Sequence, residues 1–178
     1  MTNQHYLEQI KHIETDSVDC VILDLEYATN SVKWDVAIDI FYLWEELKRI
    51  SKTKKTPFFF FCGIAQAMTL IQSNKSWFRY DLVLQHTKPL SKPRRKPFKT
   101  HTYLLVFYQT PPLYNIKTVK SILEYETVFE WIKNCYTNKT DVILHIHKGV
   151  YKLSFNSQTQ LKTILDTDPC SFHKKFWN

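Results

Sequence analysis

Residues 19–27 read Asp-Cys-Val-Ile-Leu-Asp-Leu-Glu-Tyr, an apolar run that stops at Asp24-Leu25-Glu26-Tyr27. The stretch Val18 to Leu23 has the pattern of a strand buried on both faces of a parallel sheet. The carboxyl end of such a strand opens onto the crevice where α/β sheets hold their ligands. Asp24 and Tyr27, three residues apart, are therefore the first candidate site. The carboxylate can accept a hydrogen bond from an amino group, and the ring can stack on a planar base. Without support from elsewhere in the chain, a strand-terminating Asp and a packed Tyr explain the same pattern.

Working outward, strands and helices alternate. Asp35 to Ile50 carries Ile40, Leu43, Trp44, Leu47 and Ile50 at helical spacing, with Lys48 and Arg49 near its end. Pro57 to Cys62, with four successive phenylalanines, is a second buried strand. Gly63 opens a short helix through about Gln72, and Trp77–Gln85 and Thr102–Tyr108 suit two further strands. Ser121 to Tyr136 is an amphipathic helix, Asp141–Ile146 and Leu161–Leu165 are short strands, and Pro169–Phe176 starts a terminal helix. Strands separated by helices predict an α/β fold with a mostly parallel sheet covered by helices on both faces. No linker or internal repeat divides the chain, so residues 1–178 read as a single domain.

Composition narrows the function. Hydrophobic residues make up 44% and aromatics 15% of the 178, which is globular rather than disordered. There are only two glycines, Gly63 and Gly149, where average usage of about 7% would give roughly twelve. That excludes a Gly-x-Gly-x-x-Gly cradle and a P-loop. The four cysteines are dispersed with no Cys-x-x-Cys spacing, which argues against a disulfide framework or zinc site and for a reducing cytoplasm. The apolar run near Pro57–Ala67 is too short to span a bilayer, and Met1–Glu14 is too polar for a signal peptide.

The net charge of +7 favours an anionic partner, most simply nucleic acid. The charge is densest between His86 and His101, where Lys88, Lys92, Arg94, Arg95, Lys96 and Lys99 occur with no acid among them. Such a cluster repels itself unless solvated or met by an anion. It reads as a phosphate-contacting loop, with a plain solvated loop as the competing explanation. His145 and His147 alternate on one strand face, but no third ligand stands at suitable spacing, so no metal is expected.

From Leu7 to Asn115 the chain resembles the β class of DNA amino-methyltransferases, which move a methyl group from S-adenosylmethionine to the exocyclic amine of adenine or cytosine. The resemblance rests on several motifs in order. Leu7, Ile10 and Ile13 match the lead-in, and Asp24-Leu25-Glu26-Tyr27 stands where the family has Asp-Pro-Pro-Tyr. Lys33-Trp34-Asp35, Phe78-Arg79-Tyr80-Asp81, Lys96-Pro97, His101, Leu105-Val106-Phe107-Tyr108 and Pro112-Leu113-Tyr114-Asn115 follow. More faintly, Phe129-Glu130-Trp131-Ile132 is similar to the helix before the cofactor strand. Ile143 to Tyr151 is similar to that strand and its glycine loop.

The resemblance implies a Rossmann-like methyltransferase domain in the permuted order, with the catalytic strand ahead of the cofactor strand. It has no insertion for a separate target-recognition domain. It implies Asp24 and Tyr27 as remnants of the base pocket, and Gly149 and Asp166 as the remaining cofactor-binding positions. The departures are equally specific. The two prolines that stiffen the turn are Leu25 and Glu26 here. The leading Asp of the cofactor loop falls on His145, and its second glycine falls on Tyr151, whose side chain projects into space the glycine leaves open. The expectation is a catalytically inactive relative, a pseudoenzyme without a cofactor, that binds DNA, another nucleic acid or a protein partner such as an active methyltransferase. The other reading is an active S-adenosylmethionine-dependent amino-methyltransferase, alone or completed by a partner subunit.

Overall fold

The computed structural model describes residues 3–25, 39–86, 95, 97–115, 128–138, 141–146 and 150–154. Along the chain these form α1 (Asn3–Lys11), β1 (Cys20–Asp24), α2 (Ile40–Ile50), β2 (Phe58–Cys62), α3 (Ile64–Ser73) and β3 (Phe78–Gln85). β4 (His101–Phe107), α4 (Val128–Tyr136), β5 (Val142–Ile146) and β6 (Val150–Ser154) follow.

The strands make one sheet in the order β3-β4-β2-β1-β5-β6. β1 lies between β2 and β5, parallel to both. β4 is antiparallel to β2 and β3, so β3 runs the same way as β1, β2 and β5. β6 folds back antiparallel on β5. Four of the six strands thus share one direction, but only the β1/β2 and β1/β5 pairings are parallel. The sheet is mixed, with a parallel centre flanked by hairpins.

β2 explains why the sheet is covered on both faces. All five of its residues are buried. Side chains alternate across a strand, so Phe58 and Phe60 join one core while Phe59 and Phe61 join the other. The first core packs against α1, α2 and α3, and the second against α4. Each phenylalanine removed from water contributes on the order of 1.5–3 kcal/mol, so neither face can remain bare.

α2 meets the first core with Leu43, Trp44, Leu47 and Ile50, the stripe its spacing predicts. The helix begins at Ile40 because the Asp39 carboxylate caps it, accepting from the amides of Phe41 and Tyr42 at 3.1 Å each. At its other end the Arg49 guanidinium donates to the carbonyls of Ile10 (2.9 Å) and Ile13 (2.8 Å) and pairs with Glu46 at 2.7 Å. One side chain thereby closes α1 and ties it to α2. The Trp44 ring packs against Phe58, Phe60, Trp77 and Phe107, and its indole N–H donates to Ser73 Oγ at 2.8 Å.

β6 is absent from the sequence-based reading, which treats the stretch through Tyr151 as a loop. The expected segments Leu161–Leu165, Pro169–Phe176 and the first turns of the Ser121 helix lie outside the described residues. None of the described helices is long and apolar enough to cross a membrane.

Trp44 is 2% exposed and Phe41 is 69% exposed on the same helix. Trp44→Ala is expected to cost about 3–5 kcal/mol in urea unfolding. Phe41→Ala is expected to stay within about 0.5 kcal/mol of the parent.

Candidate functional site at the carboxyl edge

Asp24 ends β1 and pairs with Phe61 of β2, which faces Leu104 of β4 and, beyond it, Leu82 of β3. The β3/β4 hairpin continues three residues past that level, from Leu82 to Gln85 opposite His101. At about 3.3 Å per residue its end reaches roughly 10 Å past the Asp24 level along the strand direction, two to three strands to the side of β1. The basic connection 86–101 therefore leaves from the same edge of the sheet as Asp24. This juxtaposition follows from β3 being aligned with β1, and it joins two features that are distant in sequence.

Asp24 is half-buried at the strand end, and Leu25 behind it is 6% exposed and packed in the first core. The position where the resemblance has a rigid proline is thus a core anchor here. Arg95 and Lys99 are exposed. Tyr27, Lys88, Lys92, Arg94, Lys96, Gly149 and Asp166 lie outside the described residues, as do Lys33-Trp34-Asp35 and the side chain of Tyr151.

Lys99 is closer to the strand ends than its place in the loop suggests. A Cβ added to Gly63 would meet Lys99 Nζ at 3.1 Å and Gln66 Oε1 at 2.8 Å. Gly63 has an ordinary φ of −88°, and the atoms a Cβ would meet are the ends of two flexible side chains, so the contact places Lys99 here without requiring glycine. Cys62, the last residue of β2, senses the same groups. Burial pushes its thiol up to about 12, Lys99 pulls it down, and Asp24 and Asp81 raise it. The thiol stays protonated near neutral pH and is no nucleophile. His86, just past the end of β3, is buried, with Nε2 at 2.9 Å from Thr102 Oγ1.

The other half of the expected site would form where β5 ends. A glycine turn leading into a helix is what offers backbone N–H groups to a cofactor. Instead the chain turns back as β6, with Ile146 opposite Val150 and His145 opposite Tyr151. The described residues after β5 do not build that cradle. His145 packs its ring 5.5 Å from Phe129. No group of three His, Cys, Asp or Glu among the described residues could hold a metal ion.

No family model matches the chain, and no curated protein matches it by sequence. Solved structures do match its fold. The crystal structure of the M1.HpyAVI–SAM complex superposes with a TM-score of 0.56 at 10% identity, over 83% of this chain and 80% of that one. A second crystal structure, of M1.HpyAVI, gives 0.54 at 11% identity, over 83% of this chain and 77% of that one. The single α/β domain has a DNA methyltransferase-like fold, with the Asp24 strand ahead of β5 in the permuted order.

His86 supplies a pH test. Burial, then Lys99, then His101 lower its pKa from 6.5. The folded state therefore binds fewer protons than the unfolded state as pH falls through about 6.5, and stability declines there. Thermal unfolding between pH 7.5 and 5.5 is expected to show a falling Tm, with a shallower fall in His86→Asn.

Proposed function

We propose that this chain is a catalytically inactive DNA methyltransferase-like protein that binds nucleic acid at the carboxyl edge of its sheet. The observation that carries the first part is the β5/β6 hairpin, which returns along β5 where a cofactor-binding turn and helix would start. The altered tetrad adds to it. With Leu25 in the core and no proline pair, the Asp24 turn loses the preorganisation on which such sites depend. Tyr151 and the remnants Tyr27, Gly149 and Asp166 belong to the same reading, with no cofactor bound.

Nucleic-acid binding is supported by the composition of the basic loop and by its departure from β3 at the same edge of the sheet as Asp24. Arg95 and Lys99 are exposed, and Phe98 between them is 54% exposed. An exposed ring among cations suits base stacking beside phosphate neutralisation. Lys88, Lys92, Arg94 and Lys96 complete the proposed phosphate contacts. The buried thiols Cys20 and Cys62 fit a cytoplasmic protein.

Asp24, still at the strand end, favours a second reading, an active amino-methyltransferase completed by a partner subunit. The exposed Ile64 and Met68 on α3 supply apolar surface for such a partner.

Isothermal titration with S-adenosylmethionine separates the readings. No binding is expected, and micromolar binding abolished by Asp166→Ala would overturn inactivity. In fluorescence anisotropy with labelled DNA and RNA, affinity should fall steeply with salt. The triple change Arg94→Ala, Arg95→Ala, Lys96→Ala should flatten the log–log salt slope by about 3 units on duplex DNA and about 2 on single strands. An unchanged slope removes the loop from the interface.

A further inference from the structure

On the α4 face of the sheet, beside the edge strand β3, a cavity of about 400 Å³ opens between β3, the segment after β4, and α4. Trp131 and Tyr136 of α4 form its floor, 7% and 6% exposed. Tyr80 of β3 and Tyr108 wall it, and Pro112 and Tyr114 stand at its mouth. The segment 110–115 is pinned at both ends: Thr110 N–H donates to Lys54 O and Asn115 N–H to Cys135 O, each at 2.9 Å. The rings brace one another. Tyr136 lies 5.0 Å from Phe59, 5.1 Å from Tyr114 and 5.7 Å from Trp131, centroid to centroid.

The chemistry of the lining selects a guest. The Tyr80 and Tyr136 hydroxyls hydrogen-bond to each other. Burial raises the pKa of both phenols, so both remain neutral. One hydroxyl donates within the pair, which leaves a further O–H and lone pairs to face a guest. None of the described lining residues carries a charge. Next to Tyr108 is a cation: the Arg79 guanidinium lies 5.1 Å from the centre of that ring and donates to Ser76 O and Gln109 O at 2.9 Å each. A cationic guest would meet Arg79 with no carboxylate among the lining residues to balance it. An aliphatic guest would leave the phenol pair unused. A flat neutral ring with donors and acceptors along its edge uses the aromatic walls and the hydroxyls, and a phosphate attached to it could reach Arg79.

We propose that this aromatic cavity binds a single unpaired nucleobase, carried either by a free nucleotide or by a single strand. The site lies on the α4 face beside β3 and takes no residue from the Asp24 turn, and the proposal does not rest on the role given to the basic loop.

The test uses the full chain. Adenosine, cytidine and their 5′-monophosphates are followed by saturation-transfer NMR, and a single-stranded decamer carrying 2-aminopurine is followed by fluorescence. Transfer to base protons or quenching of 2-aminopurine is expected. Tyr114→Ala and Tyr108→Ala should each weaken it at least about fivefold, as loss of a stacking partner does. Tyr114 is 44% exposed, so its removal leaves the core intact, and Tyr114→Leu with a thermal-melt control separates lost stacking from lost fold. Tyrosine-sensitive binding of the monophosphates identifies a nucleotide pocket, and the same sensitivity for the decamer alone identifies a strand site. Arg94→Ala with Arg95→Ala should leave nucleoside binding unchanged whether or not it weakens DNA binding. Absence of binding by every base-bearing ligand, or affinities unmoved by both tyrosine changes, overturns the proposal.

Discussion

The molecule depends on one requirement, that Phe58-Phe59-Phe60-Phe61 be dry on both sides. A strand alternates its side chains between two faces, so four consecutive phenylalanines cannot be satisfied by one layer of helices. Phe58 and Phe60 are met by Trp44 of α2, while Phe59 is met by Tyr136 of α4. Each helix in turn is held by the strand it covers. Arg49 then fastens α1 under α2 through the Ile10 and Ile13 carbonyls. Placement of β2 at the centre, between β1 and β4, thus sets where every described helix lies.

The two flanks of the parallel centre have different consequences. Parallel neighbours need a long crossover, whereas antiparallel neighbours need only a short turn. On one flank the β3/β4 hairpin extends past its neighbours and carries the basic connection to the edge that holds Asp24. On the other flank the β5/β6 hairpin returns at once, in a place where a βαβ unit would have left a helix N-terminus facing a ligand. The same edge therefore gains cations, while the described residues after β5 do not form a turn leading into a helix. Lys99, drawn in beside Gly63 and acting on both Cys62 and His86, shows how close the cationic side comes to the strand ends.

Much of this architecture was legible from the order of residues. β2 and the α2 stripe follow from burial patterns that leave little choice. The resemblance of Asp24-Leu25-Glu26-Tyr27 and its neighbours to an amino-methyltransferase agrees with the fold of M1.HpyAVI at only 10–11% identity. β6 was not legible, because Val150 to Ser154 alternates too briefly to distinguish a strand from the end of a glycine loop. Its identity comes from pairing with β5. Leu25 was read as a loosened turn, but its side chain is a core contact, and burial of that kind depends on what α2 and β2 place around it. The aromatic cavity was hidden because Tyr80, Tyr108, Tyr114 and Tyr136 belong to separate segments.

By itself, the sequence determined what must be hidden from water: two apolar strands, an amphipathic stripe on each main helix, and a concentration of positive charge in one polar stretch. Those are properties of composition and period, and they survive without knowledge of any neighbour. Only the tertiary structure decided strand direction, and with it which side chains share an edge. Direction is settled by pairing between distant segments. That is why Asp24 and the strand ends that carry the basic connection stand on one edge, the phenol-lined cavity lies on the α4 face beside β3, and β6 runs back along β5.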